Sequence, residues 1–137
     1  MTIIDMQTMR YINLLDRASH VKTSKCFLYN NAIIFAVPKP FLGRAIGPDA
    51  LNVRRIQEEL GKRVRIIAEP NGIGEIQHFI ESIVAPVRFK SLLVENGLAT
   101  LNAGSQSKAA LIGRNRRRFD ELQMIIKNTF NVDFKII

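Results

Sequence analysis

The chain has 137 residues, of which 20 are Lys or Arg and 12 are Asp or Glu, so its formal net charge is +8 at neutral pH. This length allows one ordinary domain or two very small ones, and it excludes a large scaffold such as an eight-stranded α/β barrel, which needs about 250 residues. A hydrophobic fraction of 47% with 23% charged residues is typical of a folded chain. The positive charge favours polyanionic partners.

The single cysteine, Cys26, cannot form an internal disulfide, so the chain suits a reducing compartment. The first residues lack the basic stretch and long apolar run of a signal peptide. The longest apolar runs, such as residues 32–37, are too short to cross a bilayer. We therefore expect a cytoplasmic protein that makes no membrane contact.

The first half of the chain begins with a predicted amphipathic helix and a predicted β-hairpin. Residues 6–16 place apolar side chains on one helical face. Residues 26–29 and 33–37 are strand-like runs on either side of Asn30-Asn31, which is a turn signal. This arrangement predicts two antiparallel strands that follow the helix.

A glycine turn and a further helix and strand complete the first half. Gly47 follows an Ala-Ile pair and separates a short helical segment from a longer one. Beyond it, Val53, Ile56 and Leu60 have the three-then-four spacing of one helix face. Residues 64–67 alternate as a strand does. The first half is thus predicted to contain helix, strand, strand, helix, helix and strand.

The second half repeats this pattern. The string Leu-Ile-Gly ends at Gly113, which lies 66 residues after Gly47. It is followed by Phe119, Leu122 and Ile126 with the same three-then-four spacing. An internal repeat of this length indicates two copies of one structural unit.

The other elements of the second half agree with a duplication. Residues 76–83 predict an amphipathic helix, and residues 87–94 and 98–101 predict strands joined at Asn96-Gly97, a strong hairpin signal. Residues 132–136 predict the last strand. Turn formers at 69–74 mark the boundary, so we predict two domains, residues 1–70 and residues 71–137.

A glycine turn between two helices, beside a three-stranded sheet, is a known device for holding single-stranded nucleic acid. The turn brings backbone N–H groups and a helix N-terminus close to phosphates, and small residues are needed because a side chain would block the approach. The KH module grips about four nucleotides in this way, through a Gly-x-x-Gly loop.

Four strings carry a closer resemblance. They are Leu-Gly-Arg-Ala-Ile-Gly at 42–47, Asn-Val-Arg-Arg-Ile at 52–56, Ile-Val-Ala-Pro-Val at 83–87, and Lys-Ala-Ala-Leu-Ile-Gly-Arg-Asn-Arg-Arg-Arg at 108–118. With them the chain resembles the archaeal NusA-like transcription factors over nearly its whole length. The resemblance implies an α+β fold of two tandem type II KH domains, each αββααβ, with a three-stranded mixed sheet and helices on one face.

The resemblance also implies a function. It implies binding of single-stranded RNA in transcription elongation, termination or antitermination, with RNA polymerase as a further candidate partner. We expect a monomer without a cofactor or metal. Bases would enter an apolar groove formed by Ile46, Val53, Ile112 and the second strand of each hairpin.

Both loops depart from the Gly-x-x-Gly pattern. In the first copy Ala50 replaces the second glycine, a mild change if its backbone is helical, and the carboxylate of Asp49 repels phosphate. In the second copy Arg116 replaces that glycine, and its charge favours phosphate. Residues 108–118 contain five basic and no acidic side chains. We therefore expect the second copy to supply more of the phosphate affinity.

Arginines of the first copy partly offset Asp49 under this hypothesis. The predicted RNA-binding residues are Lys39, Arg44, Ile46, Gly47, Pro48, Asp49, Ala50, Arg54, Arg55, Lys108, Ile112, Gly113, Arg114, Asn115, Arg116 and Arg117.

Less specific interpretations stand beside these. The arginine run at 116–118 is also compatible with a solvated helix start. Arg65 is expected to point outward from an edge strand, where charge prevents aggregation. Cys26 is expected to be a buried structural thiol rather than a nucleophile, and His and Cys are too few for a zinc site. No catalytic constellation is visible, so we do not expect an enzyme.

Two alternative functions remain open. One is a ribosome-associated KH protein, which the residues barely distinguish from a transcription factor. The other is a protein-interaction module that docks on RNA polymerase, since both glycine loops are degenerate.

Overall fold

The computed structural model describes residues 6–137 of the chain. These residues form two compact units, one ending at Glu69 and the other extending from Pro70 to Ile137. Each unit contains helices and one three-stranded mixed sheet, so the predicted α+β class and the mixed sheets are confirmed. In the described part of the chain no helix is both long and apolar enough to span a bilayer.

The first unit contains three helices and three strands. In chain order they are α1 (Met6–Ser19), β1 (Lys25–Tyr29), β2 (Ala32–Val37), α2 (Leu42–Ile46), α3 (Leu51–Leu60) and β3 (Arg63–Ala68). The strand order is β1-β2-β3, with β2 antiparallel to β1 and parallel to β3. A parallel pair needs a crossover, and α2 and α3 provide it.

The core of the first unit lies between the sheet and its helices. Strand β2 is buried along its whole length, and alternate residues Ile33 and Phe35 share a cluster with Leu15 of α1 and Ile56 of α3. The apolar face of α3 therefore packs against the sheet, as its residue spacing predicts. Gly61 ends this helix in a left-handed conformation, which glycine adopts without a steric penalty.

The second unit has the same order of elements. They are α4 (Ile76–Val84), β4 (Ser91–Glu95), β5 (Leu98–Asn102), α5 (Lys108–Ile112), α6 (Arg117–Phe130) and β6 (Asp133–Ile136). Strand β5 is central, antiparallel to β4 and parallel to β6. Phe119 of α6 stacks on Phe134 of β6 with ring centroids 5.8 Å apart, which fixes the helix against the sheet.

Equivalent residues of the two copies are separated by one number of residues before the end of the long helix and by a larger number after it. Ala32 and Leu98, which begin the central strands, are 66 residues apart, whereas their parallel partners Arg63 and Asp133 are 70 apart. The difference arises because α6 has 14 residues and α3 has 10. Four residues are about one helical turn.

The predicted strand at 87–94 begins too early. The N–H of Val87 bonds to the carbonyl of Val84 at the end of α4, so the chain is still turning there. The first ladder contact comes from the N–H of Lys90 to the carbonyl of Asn102, and β4 begins at Ser91. Alternation of side chains before Lys90 therefore belongs to a loop. Both predicted hairpin turns are confirmed, since their two central residues have positive φ.

Candidate nucleic-acid interface

The first glycine turn joins α2 to α3. The N–H of Gly47 closes α2 on the carbonyl of Gly43, and Gly47 then adopts φ 80° and ψ 168°. Pro48 and the next two residues form a tight turn in which the N–H of Ala50 bonds to the carbonyl of Gly47. Helix α3 starts at Leu51, so the turn lies directly at a helix N-terminus.

The second glycine turn has nearly the same backbone. Gly113 has φ 77° and ψ 173°, Asn115 has φ 55°, and Arg116 has φ 60°. The N–H of Gly113 bonds to the carbonyl of Ala109, and the N–H of Arg116 bonds to the carbonyl of Gly113. The sequences of the two turns differ at every position after the glycine, yet their conformations coincide.

The second-glycine position keeps a glycine-like backbone although neither copy has glycine there. Ala50 has φ 57° and ψ 32°, and Arg116 has φ 60° and ψ 22°, both in the left-handed region. The condition under which Ala50 would be a mild replacement, a helical backbone, is therefore not met. A left-handed conformation costs a residue with a Cβ about 1–2 kcal/mol, so each turn is strained at this position.

The two turns also share one side-chain contact. In the first copy the amide Nδ2 of Asn52 donates to the carbonyl of Arg44, at 3.1 Å. In the second copy Nη1 of Arg118 donates to the carbonyl of Ala110, also at 3.1 Å. Each bond ties the first turn of the long helix back to the short helix before the glycine. The spacing of apolar residues gave no indication of Asn52, because it is a polar side chain on the buried face of α3.

A groove beside the second turn combines apolar and basic side chains. Its volume is about 360 Å³, and it lies between α5, the turn, the start of α6 and β6. The lining residues are Lys108, Ile112, Arg116, Phe119, Lys135 and Ile136.

Three of these lining residues were predicted and three were missed. Lys108, Ile112 and Arg116 come together as expected, whereas Lys135 and Ile136 lie on the last strand. The second strand of the hairpin does not line this groove, because β5 is central in the sheet and β6 forms the edge next to α6. The lining of this groove therefore gives no support to the prediction that the second strand of the hairpin contributes to an RNA groove in the second copy.

The arginines of the second turn differ in their contacts. The guanidinium of Arg116 lies 4.8 Å from the ring centroid of Phe119, so a cation–π contact holds it at the groove. Arg114 and Arg117 are exposed at the turn and at the first residue of α6. Asn115, between them, is exposed as well. Three cations therefore surround the N-terminus of a 14-residue helix.

The basic residues of the first copy are less concentrated. Lys39 precedes α2 and lies eight residues before Gly47, which is about 12 Å along a helical path. Arg44 donates through Nη2 to the carbonyl of His20 beyond the end of α1, at 2.8 Å, and its guanidinium lies 5.6 Å from the Phe41 ring. The structure thus gives Arg44 a structural partner.

Arg54 and Arg55 are both exposed on α3. Successive helix residues are rotated by about 100°, so Arg55 is about 160° away from Val53, which corresponds to the groove residue Phe119 of the second copy. Arg54 is only about 100° from Val53. Arg54 is therefore the better placed of the two for a ligand that follows α3.

Ile46 and Asp49 complete the first turn. Ile46 is half-buried at the end of α2, where it packs on the core of the unit. Asp49 is exposed and left-handed, with φ 53°, so the turn itself carries a carboxylate. Pro48 lacks an N–H, whereas the corresponding Arg114 has one, so the first turn offers one backbone donor fewer.

Cys26 and Arg65 lie outside the glycine turns, and the structure describes the environment of each. Cys26 is buried, as expected. Arg65 lies on edge strand β3 but is half-buried, and this burial lowers its pKa below the usual value. The neighbouring Arg63 lowers that pKa further, while Tyr29 raises it. Arg65 is therefore not the fully solvated edge charge that the sequence suggested.

Comparison with known proteins gives a consistent result. The chain is 21% identical over 128 residues to "Probable transcription termination protein NusA" of Halococcus morrhuae, covering 91% of this chain and 90% of that protein. It is 24% identical over 120 residues to the protein of the same name from Methanocaldococcus jannaschii, covering 85% of this chain and 64% of that longer protein.

A solved structure shares the fold. The crystal structure of APE1850 matches 98% of this chain and 99% of its own, with a TM-score of 0.67 and 21% sequence identity. No protein-family model matches the chain.

Proposed function

We propose that this chain, a NusA-like protein of the archaeal type, binds single-stranded RNA and acts in transcription. In this proposal residues 1–70 and 71–137 are two type II KH domains. The order αββααβ in each unit, the parallel pairing of the last strand and the glycine turn between two helices support the assignment. Two similar proteins are named as transcription termination proteins, which supports a role in elongation, termination or antitermination.

The observation that carries the proposal is the basic groove of the second unit. Lys108, Arg116 and Lys135 surround a cavity whose remaining walls are Ile112, Phe119 and Ile136. Apolar walls suit the faces of unstacked bases, and the rim of positive charge suits the phosphates that join them. A purely apolar groove would suit a peptide equally well, so the three cations favour RNA.

Phosphates would be held by the glycine turns. In each copy the turn lies at the N-terminus of a helix of ten residues or more, where backbone N–H groups and the helix dipole favour an anion. The second turn adds Arg114, Arg116 and Arg117, while the first presents the carboxylate of Asp49. The second unit therefore supplies most of the phosphate affinity in this proposal.

A salt titration tests the proposal directly. Fluorescent single-stranded RNA is titrated with the full chain at several salt concentrations. A binder that uses about five phosphates should give a log–log slope of affinity against salt near −3.5. Absence of binding even at low salt would favour the protein-interaction module that docks on RNA polymerase, and the RNA proposal would be withdrawn.

Charge reversals then locate the site. Arg114→Glu should weaken binding at least fivefold at 0.1 M salt, because each lost phosphate contact removes about 0.7 from the slope. Arg54→Glu should have a smaller effect. Lys127→Glu is the control, since Lys127 is exposed and lies about 15 Å along α6 from its start. Because this change also breaks the exposed ion pair of Lys127 with Asp133, at 3.4 Å, the fold of the variant is checked by circular dichroism. An Arg114 effect no larger than that at Arg54 would contradict the ranking of the two units.

A further inference from the structure

We infer that Asn52 and Arg118 are positioning residues, which hold the two glycine turns in their ligand-facing conformation, and that Arg118 is not a phosphate contact. The inference rests on the proposed function, because it assigns the turns a ligand. It gives Arg118 a role different from that of the other basic residues at 108–118. By charge alone, Arg118 is indistinguishable from Arg117.

The two residues occupy the same place in the repeat. Asn52 and Arg118 are 66 residues apart, and so are the carbonyls of Arg44 and Ala110 to which they donate. The two side chains differ in length and charge, yet both bridge eight residues of sequence at 3.1 Å. A contact kept by different chemistry in two copies indicates a role in the geometry of the turn rather than in the charge around it.

Both side chains also pack against the turn glycine. A Cβ added at Gly47 would lie 2.9 Å from Nδ2 of Asn52, and one added at Gly113 would lie 2.8 Å from Cγ of Arg118. Real Cβ atoms essentially never show contacts under 3.0 Å, so a side chain added at either glycine would require Asn52 or Arg118 to shift. Two features therefore favour glycine at each position. Its φ is positive, and the side chain of Asn52 or Arg118 occupies the space that a Cβ atom would need.

The environment of each side chain supports the same role. Asn52 is only 9% exposed, and a buried amide needs a partner, which the Arg44 carbonyl provides. Arg118 is half-buried, and its hydrogen bond directs the guanidinium back toward α5, whereas its neighbour Arg117 is exposed. Each hydrogen bond thereby connects the second residue of the long helix, α3 or α6, to the short helix before the turn, α2 or α5. The strained left-handed residues lie between the two helices that it connects.

The test compares three variants of the full chain by RNA titration. Arg118→Asn installs the side chain that makes this bond in the first copy, while it removes one positive charge. Arg117→Asn removes the same charge at the adjacent exposed position. We expect Arg118→Asn to bind RNA within twofold of the parent chain with an unchanged salt slope. Arg117→Asn should lose about fivefold at 0.1 M salt and about 0.7 of slope.

Arg118→Ala removes the bond as well as the charge, and it should weaken binding more than Arg118→Asn does. If Arg118→Asn and Arg117→Asn lose affinity and slope equally, Arg118 is a phosphate contact and the inference is overturned. The inference is also overturned if Arg118→Ala and Arg118→Asn bind alike, because the bond to Ala110 then has no part in binding.

A measurement without RNA keeps the inference separate from the proposed function. The amide NMR resonances of residues 113–117 report the turn conformation in the free protein. They should move strongly in Arg118→Ala and little in Arg118→Asn. In the first copy Asn52→Asp keeps the shape but loses the donor, and it should move the resonances of residues 47–51. Unmoved resonances in both Arg118→Ala and Asn52→Asp overturn the inference, whereas failure of the parent chain to bind RNA would overturn only the function.

Discussion

Gly43→Ala and Ala50→Gly are opposite substitutions, seven residues apart in the first unit, and both should stabilise the protein. Gly43 is in the short helix α2, and a Cβ built there meets no atom within 4 Å. Ala50 is left-handed, with φ 57° and ψ 32°. The sign of φ alone should therefore decide the outcome, so that Gly43→Ala and Ala50→Gly both raise the free energy of unfolding.

The magnitudes follow from backbone conformation. Gly43→Ala removes the excess freedom of glycine in the unfolded chain, which is worth about 0.4–1 kcal/mol where the native φ suits alanine. Ala50→Gly relieves a left-handed conformation that costs about 1–2 kcal/mol and gives back about 0.4–1 kcal/mol of unfolded-state entropy. The net gain expected at Ala50 is about 0.5–1 kcal/mol.

Gly61 provides the matched control. It also has open space around a built Cβ, but its φ is +65° at the end of α3. Gly61→Ala should therefore destabilise by about 1 kcal/mol, although it is the same chemical change as Gly43→Ala. The assay is urea unfolding followed by circular dichroism, with the slope of each transition compared. Destabilisation by Ala50→Gly, or equal effects at Gly43 and Gly61, would refute the reasoning.

Three further outcomes are expected. Cys26 is buried, so a thiol reagent at neutral pH should label it slowly in the native chain and fully in denaturant, and fast native labelling would reopen the possibility of an exposed nucleophile. Leu122 is fully buried on α6, so Leu122→Ala should cost about 2–5 kcal/mol in urea unfolding, and a cost below 1 kcal/mol would contradict its place in the core. Asn31 has φ 61° in a two-residue hairpin turn, so Asn31→Gly should raise the melting temperature slightly, whereas the same change at the extended Thr100 should lower it.

The elements of the fold could be predicted because their signals are local. Asn30-Asn31 and Asn96-Gly97 adopt positive φ, which specifies the hairpin turns regardless of the rest of the chain. The apolar spacing at Val53 and Ile56 predicts the face of α3 that meets the sheet. The repeat then adds information, since a weak pattern that occurs twice is stronger than either copy alone.

The residues that were missed depend on long-range placement. Lys135 and Ile136 reach the groove only because β6 crosses over to the edge of the sheet, which no local pattern encodes. The bond of Arg118 to Ala110 is likewise invisible in a run of three arginines, where composition makes all of them equal. The left-handed Ala50 was missed because alanine itself favours a helix, and the surrounding turn overrides that preference.

The duplication explains why the two copies need not do the same work. Positions equivalent to the groove residues Lys108, Arg116 and Phe119 hold Leu42, Ala50 and Val53 in the first unit. Both units keep the strained turn and the side chain that ties it down, because those features belong to the fold.

Two of the three groove charges, Lys108 and Arg116, are present in one copy only, whereas Arg65 of the first unit occupies the position of Lys135. The fold therefore does not require the charges of Lys108 and Arg116. Arg116 illustrates this, since it occupies a left-handed position at which alanine serves equally well in the first copy. Arg116 bears backbone strain and is itself exposed, so under the proposed function its charge serves the ligand rather than the core. The cation–π contact with Phe119 then holds that charge at the rim of the groove, where a phosphate would meet it.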